Sequence, residues 1–175
     1  MQFDALAYEL ERGGLLMGIL VLGVTPEEAQ VKPSAESWSM LEVVCHLYDE
    51  ECRDFRKHLD HILQGSDQPP FPDVPQEPEP GVPYNERDWS ESLDAFLEER
   101  NRSLAWLKAL SAPDWDRSLT LSFGPTQEQV RFSAGDMLAA WVAHDHLHMR
   151  QLVELQRGRI VRMVEPYDVQ YAGGW

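Results

Sequence analysis

The sequence predicts an all-α protein, a four-helix bundle with one long crossover between its second and third helices. Four segments carry apolar residues at steps of three and four, the period of one helix face. Between the second and third of these lies a stretch with seven of the chain's twelve prolines, which can be neither helix nor central strand. Neither flank has enough core to stand alone, so one domain, residues 1–175, is predicted.

The first two helices have recognisable starts and ends. The first is predicted over residues 3–22 and is followed by TPEEA, where Thr25 can cap a short helix. The second begins at Ser37 or Ser39, and the sequence leaves both open; it ends at Gly65. One apolar stripe runs along it at helical spacing: Leu41, Val44, Cys45, Tyr48, Cys52, Phe55, Leu59 and Ile62.

The second half of the chain begins with the proline-rich segment, residues 65–83, predicted to be a crossover laid over the surface. The third helix is predicted over residues 85–110. The segments SLTLSF and EQVRF alternate in polarity and predict a small hairpin around GPTQ. Ser133 then has the character of an N-cap, and the fourth helix is predicted over residues 134–157, ending at Gly158.

The net charge of the chain excludes some classes of binding partner. Fifteen basic and thirty acidic residues give a formal net charge of −15. Nucleic acids and anionic membranes require a basic face, so neither is predicted as a partner. The apolar run LLMGILVLGV is too short to span a bilayer, and the acidic N-terminal stretch does not resemble a secretory signal. A cytoplasmic location is the expectation, with Cys45 and Cys52 as reduced thiols.

Three histidines lie within five positions in AWVAHDHLHMRQL, at His144, His146 and His148. At about 100° per residue, His144 and His148 fall on the buried stripe of the fourth helix, whereas His146 points away from it. Two imidazoles at i and i+4 can converge on one metal ion from a single helix. Two histidines packed in the core are the competing interpretation, but each would then need its own buried hydrogen-bond partner.

A third ligand has to come from elsewhere in the chain. His46, His58 and His61 are the candidates, and all three lie in the second helix. None of them lies at the centre of that helix's apolar stripe on an ideal projection, and His46 falls on its polar flank. Periodicity therefore does not choose among the three.

The segments SWSMLEVVCHLYDEE and HDHLHMRQL resemble the DinB-like family of metal-binding four-helix bundles, which includes the YfiT-type proteins. In this family a ligand histidine lies eight residues after the Trp of a Trp-Ser or Trp-Thr pair. In this chain the Trp is Trp38, and the residue eight positions later is His46. The family's H-x-x-x-H step corresponds to His144 and His148. The first connection and the third helix are also similar, so the resemblance spans nearly the whole chain.

The resemblance implies one divalent metal held by His46, His144 and His148, with zinc expected and nickel possible as the ion. An open coordination position would suit a metal-dependent hydrolase or an S-transferase that uses a low-molecular-weight thiol. The expected partner is a small-molecule substrate, and a homodimer is implied by the family. The alternatives are a stress-associated protein that binds a metal or ligand without turnover, and a bundle whose histidines are merely packed.

Four further polar residues are candidates for roles near the site. Arg100 falls on the apolar stripe of the third helix and is predicted to bind substrate through a carboxylate or phosphate; the alternative is an arginine that pairs with a buried acid. Asp49, Glu50 and Asp145 lie near the candidate ligands in sequence and are expected to be solvated helix residues. The alternative for each is a base or a group that orients a ligand, and Asp145 is the best candidate for it because it flanks the buried stripe. A di-iron carboxylate site is rejected, because Asp145-x-x-His148 is a lone match to the required pattern.

Overall fold

The first part of the chain forms a long helix and a short one. The computed structural model describes residues 3–65, 81–123 and 128–173. Helix α1 spans Phe3–Leu20, and helix α2 spans Pro26–Ala29. Thr25 caps α2 as predicted, because its side chain accepts a hydrogen bond from the backbone N–H of Glu28 while the Glu28 carboxylate accepts one from the Thr25 N–H.

The second predicted helix is continuous in the chain but changes its winding halfway. Helix α3 spans Met40–Asp49, a π-helical segment spans Glu50–Asp54, and helix α4 spans Phe55–Gln64. Of the two possible starts, Ser39 is the N-cap: it forms a reciprocal capping box with Glu42. The predicted end at Gly65 holds, with a positive φ of 88° that favours glycine.

The π-helical segment alters which side chains face the core. Cys52, which the straight-helix stripe places inside, is only half-buried, whereas Glu51 is 1% exposed; Tyr48, which precedes this segment, is also half-buried. Residues in a π turn bond five positions apart, so the face after Glu50 is rotated relative to an ideal α-helix. Accordingly α3 packs mainly on the third long helix, and α4 packs mainly on the fourth.

The third long helix, α5, spans Trp89–Ala109. It begins a turn later than predicted, because Asp88 is its N-cap and accepts a hydrogen bond from the backbone N–H of Glu91. The predicted hairpin is present as β1, Ser118–Phe123, paired antiparallel with β2, Glu128–Ser133. The GPTQ turn and most of the predicted proline-rich crossover lie outside the described residues.

The fourth long helix, α6, spans Ala134–Met163 and is longer than predicted. The predicted end at Gly158 is wrong, because this glycine stays in the helix. The next turn is held in place by an ion pair between Arg159 and Glu28. The helix ends three residues before Pro166, which cannot continue it.

The helices pack as the predicted four-helix bundle, in which α1 lies against α5 and α6 while the α3–α4 unit covers the other side of α5 and α6. The apolar core is divided into two clusters, one around Leu41 and Phe96 and one around Leu59 and Trp141. Between the two clusters lies a layer of buried polar side chains. None of the helices in the described ranges is both long and apolar enough to cross a membrane.

Candidate metal centre

One candidate ligand comes from helix α3. The capping box of Ser39 fixes the start of this helix, and Ser39 Oγ also donates to Asn85 Oδ1 at 2.5 Å. His46 lies two turns further on and is about one-fifth exposed. The Trp38 ring, immediately before the cap, contacts the His46 ring edge-on at a centroid distance of 4.9 Å. The helix start therefore positions both the histidine and the aromatic ring that covers it.

Two further candidate ligands come from helix α6. Ser133 caps this helix through a capping box with Asp136, as the sequence predicts. His144 and His148 then lie one turn apart on the inner face; His148 is 5% exposed and His144 is half-buried. His146 is exposed, which confirms its predicted outward position.

The Nε2 atoms of the three inward histidines meet at one point. His144 Nε2 lies 3.4 Å from His46 Nε2 and 3.1 Å from His148 Nε2. One ligand atom from each residue lies within 4.8 Å of the others, and this is a candidate metal-binding group within the described part of the chain. Nitrogens about 2.0 to 2.1 Å from a tetrahedral zinc ion are about 3.3 Å apart. The spacing of the imidazoles fits a metal of this size.

Hydrogen bonding alone does not account for this arrangement. His148 Nδ1 donates to Gln151 Oε1 at 2.9 Å, so the Nε2 lone pair of His148 faces the centre. His144 Nε2 has one position for either a proton or a lone pair, and it cannot pair with both neighbouring nitrogens at once. A shared cation would satisfy all three nitrogens, and the Gln151 contact would orient His148 as outer-shell partners orient metal ligands.

The electrostatics keep the imidazoles neutral at neutral pH. Burial, with the nearby His148 ring, lowers the pKa of His46 to about 4. Burial and the two neighbouring rings lower the pKa of His144 to about 3. Burial also lowers the pKa of His148. Since metal ligation requires an unprotonated nitrogen, three neutral imidazoles are in the form that binds a metal.

Aromatic and acidic side chains surround the three histidines. The Phe55 ring lies 5.0 Å from that of His144, and the Trp38 ring is stacked parallel to that of His148 at 6.2 Å. Glu50 Oε1 lies 3.7 Å from His46 Nδ1. Burial and the nearby Asp54 raise the pKa of Glu50 to about 7.

A cavity of about 590 Å³ lies near the histidines, although none of the three lines it. Its wall includes Trp38, which contacts two of the histidine rings, and Gln151, which bonds to His148. Charged side chains of both signs also line it: Glu36, Glu154 and Arg162. The volume suits a small organic molecule.

The other candidate ligands lie elsewhere. His58 is fully buried and its Nδ1 bonds to Asp54 Oδ1 at 2.5 Å. His61 is outside the histidine group. Cys45 is 1% exposed, and its Sγ lies 3.6 Å from Ser92 Oγ, facing α5, as expected of a buried small residue. Asp49 instead accepts hydrogen bonds from Tyr84 and Arg53.

The assignment of Arg100 to substrate binding requires correction. Its side chain is 3% exposed and its guanidinium is fully engaged inside the bundle. Nη1 and Nη2 donate to the two carboxylate oxygens of Asp145 at 2.6 and 2.8 Å, and Nε donates to Glu51 Oε1 at 2.7 Å. Its donors meet these two carboxylates and the backbone oxygen of Leu10, so the alternative of pairing with buried acids describes Arg100. Asp145 is its partner, one residue from His144.

Sequence reasoning missed Glu51. The straight-helix projection places it beside the stripe, and buried glutamates are rare. A signal was available, because Leu47, Glu51 and Phe55 follow one another at four-residue steps. An acid on such a line, opposite an arginine on another apolar stripe, is the pattern of a buried ion pair.

Comparison with known proteins agrees with the fold. YfiT from Bacillus subtilis, described as a probable metal-dependent hydrolase with an unusual four-helix bundle topology, superposes with a TM-score of 0.69 at 21% identity. The match covers 90% of this chain and 87% of that one. No curated protein shows a significant match. The family model of the DinB superfamily matches residues 10–152, which is most of the chain. The chain belongs to the DinB superfamily.

Proposed function

We propose that this protein is a metal-dependent enzyme in which His46, His144 and His148 hold one divalent ion, with zinc as the first candidate and nickel as the second. The observation that carries the proposal is the convergence of three Nε2 atoms, at 3.4 and 3.1 Å, on a point where hydrogen bonds cannot pair them all. Imidazole nitrogens suit both metals, so the ligand set does not choose between them.

Three neutral protein ligands resemble a catalytic rather than a structural zinc site, because a fourth position stays open. A metal held in this way would supply Lewis-acid activation of a water molecule for hydrolysis, or of a thiol for S-transfer. The described group contains no carboxylate ligand, so the full dipositive charge would act on the nucleophile. Gln151 and Trp38 would hold the His148 and His46 rings in place.

The proposed substrate is a small molecule that enters the cavity of about 590 Å³ bordered by Trp38 and Gln151, which also contact the histidines. Trp38 offers an aromatic face there, while Glu36, Glu154 and Arg162 offer charges of both signs to a polar ligand. The net charge of −15 disfavours polyanionic substrates such as nucleic acids.

Hydrolysis is the first candidate reaction, supported by the similarity of the fold to YfiT, which is described as a probable metal-dependent hydrolase. S-transfer from a low-molecular-weight thiol is the second. It is favoured by the all-imidazole set, since a dipositive zinc ion with neutral ligands attracts a thiolate strongly. The two reactions differ in the nucleophile and can be separated by assay.

The test begins with the metal content of the purified protein. We expect about one equivalent of zinc or nickel per chain. The protein is then assayed with ester and amide substrates, and with small thiols plus monochlorobimane or a chlorodinitrobenzene. A metal-dependent rate that disappears in His46→Ala supports the enzyme. Whether that rate is found in the hydrolysis assay or in the thiol assay identifies the nucleophile as water or a thiol. Bound metal without any rate would favour a non-catalytic metal- or ligand-binding role, and no metal at all would overturn the site.

The oligomeric state and the cellular location of the protein stay predictions. Pairing of two copies as a homodimer follows from the family resemblance and is tested by the mass in solution. The cytoplasmic location is tested by fractionation of the source cells.

A further inference from the structure

The polar layer between the two apolar clusters is built around a single guanidinium. Arg100 donates to Glu51 in the π-helical segment and to Asp145 in α6, and its Nη1 also donates to the backbone oxygen of Leu10 in α1 at 2.9 Å. Since Arg100 itself lies on α5, this one side chain connects all four long segments of the bundle. Burial opposes its charge, but hydrogen bonds and charges from Asp145 and Glu51 outweigh burial and raise the pKa of Arg100.

The carboxylate of Glu51 is fully paired. Its Oε1 accepts hydrogen bonds from Arg100 Nε and from Trp141 Nε1, the latter at 3.0 Å, and its Oε2 accepts one from Ser103 Oγ at 2.6 Å. An acid that is 1% exposed requires this number of partners. The π-helical winding directs Glu51 at them, so the network and the winding depend on each other.

The position of these acids relative to the histidines is the important feature. Asp145 directly follows His144, and Glu51 follows His46 by five residues, across the start of the π-helical segment. His46 and His144 are 98 positions apart in the chain. The π-helical segment that follows α3 and the helix α6 are tied together by the same guanidinium, which is bidentate to Asp145 and bonds to Glu51 through the single oxygen Oε1.

Two glycines in α1 make room for this arrangement. A Cβ at Gly13 would lie 2.6 Å from Asp145 Oδ2, and one at Gly14 would lie 3.0 Å from Arg100 Cγ. Glycine inside a helix is unfavourable relative to alanine. The close approach of α1 to the ion pair explains why side chains are absent at both positions.

We propose that Arg100, Glu51 and Asp145 form a positioning clamp that sets the distance and angle between the His46 and His144 ligands, an inference that rests on the proposed metal centre. The clamp residues do not touch the metal or the substrate. They hold the π-helical segment and α6 in the one relative position in which the imidazoles converge. The clamp therefore tunes metal affinity and geometry beyond its contribution to folding.

The test uses near-isosteric variants of the full chain, Glu51→Gln and Asp145→Asn, with cobalt(II) and zinc as probes. Affinity is measured by competition with a chelating dye, and coordination geometry by the visible absorption of bound cobalt(II). The matched control is Glu28→Gln, which disrupts the half-buried ion pair between α2 and Arg159 of α6; no hydrogen bond described for this pair reaches Glu51, Ser103 or Asp145. Melting temperatures are recorded for all variants.

We expect both clamp variants to bind zinc about 10- to 100-fold more weakly, as is typical for groups that orient ligands, and to shift the cobalt(II) spectrum. Glu28→Gln should lower the melting temperature and still bind zinc within about two-fold of the unaltered protein. Ser103→Ala, which removes one bond to Glu51, is a milder variant if the others do not fold, and a few-fold loss is expected.

The clamp is overturned if affinity follows melting temperature equally in all variants, or if the clamp variants bind with unchanged affinity and spectrum. That failure differs from failure of the metal centre, in which the unaltered protein itself would bind neither cobalt(II) nor zinc.

Discussion

Two buried polar clusters lie next to each other in the bundle, and they differ in how completely their atoms are paired within the protein. In the clamp, the Glu51 oxygens and the Arg100 donors all meet protein partners at hydrogen-bond distance. In the histidine cluster, by contrast, the nitrogens of His46 and His148 both face the single Nε2 of His144. The donors and acceptors of the clamp are paired with one another, whereas the three histidine nitrogens face one another.

The contrast separates structural polar groups from groups that bind a ligand. A buried cluster whose donors and acceptors match needs nothing from outside and holds the fold in one arrangement. A cluster whose acceptors face one another carries an energetic cost that a cation relieves. By this criterion Arg100 belongs to the structure, although its position on an apolar stripe first indicated a ligand-binding role.

The largest effect is expected from removing a ligand in the incomplete cluster. His148→Ala should lower bound metal from about one equivalent to near zero, because two imidazoles hold a divalent ion far less tightly than three. The measurement is metal content after dialysis. His146→Ala is the matched control, since this histidine lies two residues away on the exposed face. Equal metal contents in the two variants would contradict the site.

The next effect concerns the complete cluster. Arg100→Met should lower the free energy of unfolding by about 3 to 5 kcal/mol, because two buried carboxylates lose their counter-charge. Urea denaturation of the metal-free protein measures it. Arg102→Met is the control: its side chain is 65% exposed, so no measurable change is expected. A loss below about 1 kcal/mol for Arg100→Met would show that the clamp is not a paired ionic unit.

Most of the fold was predictable from local signals in the sequence. Thr25, Ser39 and Ser133 cap helices because their side chains accept from backbone N–H groups, and such caps are readable from residue type and spacing. The predicted hairpin also formed. The end at Gly158 failed, because a contact 131 positions away in the chain, between Arg159 and Glu28, stabilises the next turn. Long-range ion pairs leave no local signal.

The site was predictable in part. The pairing of His144 with His148 follows from the helical period, whereas the choice of His46 came from the family resemblance. Periodicity did not choose among His46, His58 and His61, because it shows which side of a helix is buried and not which side chains of different helices meet. The π-helical segment at Glu50–Asp54, in which Glu51 is buried, has no recognised sequence pattern. The clamp joins segments far apart in sequence: the four-residue steps of Leu47, Glu51 and Phe55 indicate a buried acid, but only the three-dimensional structure shows that its partners are Arg100, Ser103 and Trp141.

A smaller effect on stability is expected when metal fills the incomplete cluster. Zinc at about 100 times its dissociation constant should add about 2.7 kcal/mol to the free energy of unfolding, since the ion binds the folded chain. Urea curves with zinc and with a chelator give the difference. His148→Ala should show no such difference. If the variant gains as much as the unaltered protein, the ion is stabilising a different site.

The smallest effect is expected where α1 approaches the clamp. Gly13→Ala should lower the free energy of unfolding by about 1 to 2 kcal/mol, because its Cβ would lie 2.6 Å from Asp145 Oδ2, and the overpacking outweighs the gain in helix propensity. Gly18→Ala, in the same helix, is the matched control. Its Cβ would meet only Leu97, at 3.8 Å, so the variant should be more stable by about 0.5 to 1 kcal/mol. Opposite signs in urea denaturation would show that the clamp, rather than helix propensity, selects glycine at position 13. An equal increase in the free energy of unfolding for both variants would mean that Asp145 moves aside at little energetic cost. A side chain that moves so readily could not hold His144 in place.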